Sequence, residues 1–137
     1  MNNELLDKAK QLINANHIST ILGTVDSEYN VNMAVMNLLE FIGDDIILCA
    51  RFGANRTYHN LLQTGKGTFM VLQVDQEKAT KDGIRISVQL TEALTEGDYF
   101  ERMAEKLAAS SYSSFPLKHC LVFKVIDILP ITSMQKK

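Results

Sequence analysis

Apolar positions change period along this chain, and the changes divide it into elements. From Glu4 to Asn16, Leu5, Leu6, Ala9, Leu12 and Ile13 fall on one face of a 3.6-residue repeat with charged residues opposite, which predicts an amphipathic helix. Beyond it the period falls towards two. The runs Ile18 to Val25, Val31 to Ile42 and Ile46 to Phe52 are rich in β-branched and apolar residues and are separated by turn formers at 26–30 and 43–45, which predicts three strands in a meander. A short helix is expected over 55–64, followed by a strand over Thr68 to Val74 and a charged loop over 75–83. In the next strand, Ile84 to Thr95, Ile84, Ile86, Val88 and Leu90 share one face while Arg85, Ser87, Gln89 and Thr91 share the other, giving one core face and one polar face. Asp98, with Glu101 three residues later, reads as the cap of a second amphipathic helix reaching about Ala109. A Ser-rich loop, Ser110 to Ser114, then leads past Pro116 to a last strand, His119 to Leu129.

Six strands in so short a chain predict a mainly β domain with flanking helices, a small six-stranded antiparallel barrel closed or nearly closed so that few edges are exposed. Its 137 residues, 46% of them hydrophobic, suffice for one core, so residues 1–137 read as a single domain. Fourteen Lys and Arg against sixteen Asp and Glu leave a net charge of −2, so no overall basic field favours nucleic acid or an anionic membrane. Any anion site has to be local. The charged amphipathic start and the lack of a long apolar run predict neither a signal peptide nor a spanning helix, hence a cytoplasmic protein. Cys49 and Cys120 each lie in an apolar strand and read as buried free thiols. His17, His59 and His119 lack a paired ligand spacing, so no metal site is expected.

The stretch RFGANRTYHNLL, residues 51–62, carries the candidate chemistry. Asn55 caps a helix whose first turn holds Arg56, the wrong sign for a helix N-terminus, and Arg51 ends the strand just before it. Backbone N–H groups, the Thr57 hydroxyl and two guanidinium groups would suit a dianionic phosphate, whose charge would offset the unfavourable dipole contact. Two solvated arginines, at a cost below about 1 kcal/mol, fit the local spacing equally well.

The order of elements, with TVDSEYN closing the first strand, then VNMAVMNLLEFI, DDIILCARF, NRTYHNLL and GTFMVLQV, resembles the FMN-binding split barrels of the pyridoxamine phosphate oxidase-like superfamily over residues 4 to about 95. In that family a basic residue, then Lys or Thr, then Asn-Leu a few residues on, opens the helix that holds the flavin phosphate. Arg56, Thr57, Asn60 and Leu61 match this pattern, and Asn55 stands where the family often has Ser. The resemblance implies that Asn32, Met33, Ala34, Val35 and Met36 run along the flavin ring and that Arg51 reaches the phosphate or ribityl chain. It also implies FMN as cofactor and a homodimer with FMN at the interface. The activity implied is that of an FMN-dependent oxidoreductase on a small molecule, with NAD(P)H or a protein as electron partner. A flavin carrier, electron-transfer module or sensor without turnover is the alternative, and haem-binding split barrels make haem a minor one. True pyridoxamine phosphate oxidases carry a C-terminal Trp- and Arg-containing substrate motif; this chain has no Trp and reads ITSMQKK there, so that activity is not expected. His59 has two readings, near the cofactor or exposed on its helix. Tyr99, Phe100, Tyr112 and Phe115 likewise read as packing residues or as a wall of the flavin cleft.

Overall fold

The computed structural model describes residues 2–15, 19–53, 55–75, 77 and 80–131. Helix α1 (Asn3–Ile13) starts where the Asn2 side chain accepts hydrogen bonds from the Glu4 and Leu5 amides at 2.8 and 3.2 Å, and it buries Ala9, Leu12 and Ile13. The helix stops at Asn14, whose carboxamide turns aside to bond both backbone groups of Phe41. The expected continuation to Asn16 enters residues outside those described, as does His17.

Seven strands follow, β1 (Ser19–Val25), β2 (Val31–Met36), β3 (Leu39–Ile42), β4 (Ile46–Arg51), β5 (Lys66–Asp75), β6 (Thr80–Leu94) and β7 (His119–Pro130). Helix α2 (Arg56–Thr64) lies between β4 and β5, and α3 (Asp98–Ala108) between β6 and β7. All strands join one antiparallel sheet in the order β2-β1-β5-β6-β7-β4-β3. Its two edge strands are consecutive in the chain, linked only by Asn37 and Leu38, so the sheet curls until its edges approach as a split barrel.

That link corrects the expectation of six strands. The run 31–42 is not one strand, because the ladder breaks at Asn37 and Leu38: β2 pairs with β1 and β3 with β4, at opposite ends of the sheet. Leu39 enters the barrel interior with Phe69 and Phe123, whose rings meet edge to face at 5.4 Å, while Leu38 joins Leu48, Val122, Met103 and Leu107 beneath α3. The expected meander is also overturned. β1–β2 and β3–β4 are hairpins at opposite ends of the sheet.

Two local expectations change as well. Most of the charged stretch 75–83 is strand, since Gln73, Val74 and Asp75 pair with Asp82, Lys81 and Thr80 in the β5–β6 ladder. Asp82 in this ladder is exposed and pairs with Lys8 of α1. The cap of α3 is Gly97 at φ 99°, with no side-chain cap bond, and Asp98 sits one residue inside, where its charge still favours the helix start. The predicted alternation of β6 holds through Val88. Register shifts between Ser87 and Val88 and between Leu90 and Glu92 then bend the strand, and the Thr91 hydroxyl donates to the Val122 carbonyl at 3.1 Å.

Candidate anion and cofactor cleft

Helix α2 begins at the place where β4 leaves the sheet. Asn55 is extended, and its side chain accepts from the Tyr58 amide at 2.9 Å. The helix ends on Gly65, whose left-handed backbone (φ 70°) closes a bond to the Leu61 carbonyl. The first turn holds no acidic residue, so nothing within the helix offsets its N-terminal partial charge.

Two buried polar side chains fix α2 on the sheet. Thr57 is 3% exposed and its Oγ1 accepts from Asn32 Nδ2 of β2 at 3.1 Å. Asn60 is 4% exposed and its Nδ2 donates to Thr24 Oγ1 of β1 at 3.1 Å. Between the helix start and the strand ends lies a cleft of about 130 Å³, lined by residues that include Val35, Met36, Arg51, Phe52, Asn55 and Thr57.

The Arg51 guanidinium is half-buried here. Its Nε donates to His119 Nδ1 at 3.0 Å, its central carbon lies 3.8 Å from the Tyr58 ring centroid, and its Nη1 is buried without a hydrogen-bond partner. His119 stacks on Tyr58 at 5.5 Å. Burial first, and the Arg51 charge second, hold the imidazole below the usual histidine range.

Five of the residues expected at the site thus meet in one cleft: Val35, Met36, Arg51, Asn55 and Thr57. Asn32 lies behind it, joined through the Thr57 hydroxyl. Asn60 is tied to β1 and braces the helix. Arg56 is exposed at the rim, where its charge helps hold the Asp26 carboxyl below the ordinary range, the main cause there being hydrogen bonds from Asn30. Met33 turns to the outer face of the sheet, and Ala34 is half-buried on the opposite side of β2. His119 was not legible as a site residue, since β4 and β7 pair only in three dimensions and put it opposite Arg51, and Tyr58 of α2 joins the site only through its ring contacts with those two. His59 is exposed, and Tyr99 and Phe100 of α3, with Tyr112 after it, pack on the core between α3 and the sheet. Phe115 is half-exposed and lies against Phe52 at the cleft edge.

The buried cysteines occupy opposite faces of the sheet, Cys49 in the barrel and Cys120 under α3, and burial raises both thiols, that of Cys120 to about 11. Among the described residues no cluster of His, Cys, Asp and Glu is placed to hold a metal ion, and no helix is long and apolar enough to cross a membrane.

Against solved structures, the chain aligns with an FMN-binding protein from Syntrophomonas wolfei subsp. wolfei at 57% identity and a TM-score of 0.93, over 98% of this chain and 91% of that one. The chain belongs to the pyridoxamine 5'-phosphate oxidase-like FMN-binding split-barrel superfamily. Two more distant structures share this split barrel's fold. They are a putative pyridoxamine 5'-phosphate oxidase from Lactobacillus delbrueckii (16% identity, TM-score 0.64, 94% and 93% of the two chains) and HutZ, the haem storage protein from Vibrio cholerae (12%, 0.64, 92% and 94%). No family sequence model and no curated protein matches this split barrel.

Proposed function

We propose that this split barrel binds FMN and works as an FMN-dependent oxidoreductase on a small molecule, with its flavin reduced by NAD(P)H. The observation that carries the reading is the buried, unpartnered Nη1 of Arg51 in a cleft at the start of α2. A buried guanidinium nitrogen without an acceptor is costly, and a phosphate oxygen beside a helix N-terminus supplies one. The FMN-binding protein from Syntrophomonas wolfei, similar over nearly the whole chain, supports the same cofactor.

In this reading Arg51 and the Thr57 hydroxyl hold the phosphate, Arg56 adds charge at the rim, and Asn32 and Asn55 orient Thr57 and the helix start. The edge strand β2, through Val35 and Met36, borders the ring. FMN, when bound, supplies hydride or single-electron transfer, so the protein's own task is to bind, orient and exclude water. The cleft of about 130 Å³ suits a phosphate and falls below the roughly 300 Å³ at which small-molecule pockets begin. The rest of the cofactor therefore needs a second wall. We place it on a second copy of the chain, seated on the apolar outer face where Val31, Met33 and Val35 are 74%, 64% and 62% exposed. Two free thiols on opposite faces of the sheet suit a reducing, cytoplasmic setting.

The test is the visible absorbance spectrum of the purified protein, before and after FMN addition and desalting, followed by NAD(P)H under anaerobic conditions. Retained flavin peaks that bleach with NAD(P)H are expected. Retained peaks that no nicotinamide bleaches indicate a carrier, and a Soret band in place of flavin overturns the assignment.

A further inference from the structure

Arg51 is the last residue of β4 and His119 the first of β7, and the two are direct partners in the antiparallel register. The guanidinium is therefore held from two sides, through Nε by His119 at 3.0 Å and across its plane by the Tyr58 ring at 3.8 Å. Tyr58 and His119 brace each other, their rings 5.5 Å apart and 27° from parallel. A bond from Arg51 Nε to Nδ1 requires a neutral imidazole with its proton on Nε2. An imidazolium has no acceptor at Nδ1 and would set a second positive charge at hydrogen-bond distance from the first.

We propose that Tyr58 and neutral His119 are positioning residues that aim Arg51 at the anionic group bound in the cleft, so that protonating His119 frees Arg51 and weakens capture. This rests on the flavin reading above and adds to it the source of phosphate recognition and its dependence on pH. The charged group facing His119 is Arg51 of β4, and α2 contributes the Tyr58 phenol. On its other side β7 pairs with β6, whose register partner at this end is Leu94, opposite Cys120. Burial and the Arg51 charge both favour the neutral ring, which matches the hydrogen bond observed.

The experiment compares FMN and riboflavin affinities of the wild type and His119→Asn between about pH 8 and about pH 5. The Asn carboxamide keeps an acceptor near the position of Nδ1 and does not titrate. The cofactor's own phosphate takes up a proton near pH 6, but both proteins share that loss. Near-equal FMN affinities are expected at the alkaline end. On acidification the wild type should fall behind the variant by about tenfold, the scale of one hydrogen bond to a charged group, while riboflavin shows no divergence. Tyr58→Leu should weaken FMN at the alkaline end and Tyr58→Phe should not. Parallel FMN curves, or a wild type that tightens relative to the variant in acid, overturn this proposal alone. A wild type that binds no FMN at the alkaline end overturns the flavin reading together with it. Should His119→Asn fail to fold, the Arg51 Nε–H resonance of the wild type decides. It must broaden into solvent exchange as His119 titrates, and indifference to that titration overturns the proposal.

Discussion

Arg51 and Arg56 flank the turn at Gly53, and their surroundings give them unequal roles. Arg51 stacks on Tyr58 with one nitrogen buried and unpartnered, whereas Arg56 is exposed beside the β1–β2 turn, where Asp26 accepts from the Glu28 and Asn30 amides. Arg51→Ala should therefore cost FMN about 1.5–3 kcal/mol, the range for a hydrogen bond to a charged group, and leave riboflavin nearly unchanged. Arg56→Ala, which removes a screened charge at the rim, should cost FMN less than about 1 kcal/mol. Isothermal titration with both ligands checks this, and an Arg56 effect equal to or larger than that of Arg51 would move the phosphate to the rim. Glu40 offers a second residue-scale test. The Arg102 guanidinium grips its carboxylate through both oxygens, at 2.9 and 2.6 Å, and those bonds hold its carboxyl below the ordinary value of 4.5. A carboxyl with a lowered folded pKa contributes stability that is present above its unfolded pKa and lost as pH falls through the folded one. Glu40→Gln should accordingly narrow the stability gap to wild type as pH drops below about 4.5, which thermal unfolding in acid will show.

Elements were readable wherever their signal was local. Asn55 as a cap, the helix over 55–64 and the alternation of Ile84, Ile86 and Val88 each depend on a few neighbours, and the structure has all three. The 31–42 run misled because its break falls at Asn37 and Leu38, where Leu38 is as buried as Leu39 of β3 beside it, and apolar content alone does not separate this from one continuous strand. The same limit hid His119, which acquires its role only when β7 pairs with β4 across a long interval of sequence. Asn60 shows the intermediate case. Its position matches a phosphate-helix pattern, yet its side chain donates to Thr24 and holds α2 on β1. Asn60→Ala would leave a buried hydroxyl unpaired and should cost about 1–3 kcal/mol of stability. Chemical denaturation should show that loss, and FMN affinity measured where the variant is folded should change far less than for Arg51→Ala.

For the whole molecule, the feature that calls for a partner is the apolar outer face. Along β2, Val31, Met33 and Val35 point away from the barrel, and they continue onto Ile21 of β1, Met70 of β5 and Ile126 of β7 around a groove of about 570 Å³. An exposed β2 edge combined with such a face invites association, and the charges that protect edge strands elsewhere are missing from VNMAVM. Val35 borders both this face and the cleft, so a second copy seated here would also wall the cofactor site. Met33→Asp lies outside the cleft and buries no new charge in the monomer, because Met33 is already 64% exposed. If the face is a self-association surface, the wild type should sediment as a dimer and this variant should fold and sediment as a monomer. If the partner completes the site, the same variant should lose FMN at least about tenfold, although Arg51, Thr57 and α2 are untouched. A Met33→Asp monomer that keeps full FMN affinity would show that one chain holds the cofactor alone. A wild type that sediments as a monomer with FMN bound would assign the apolar face to a different partner.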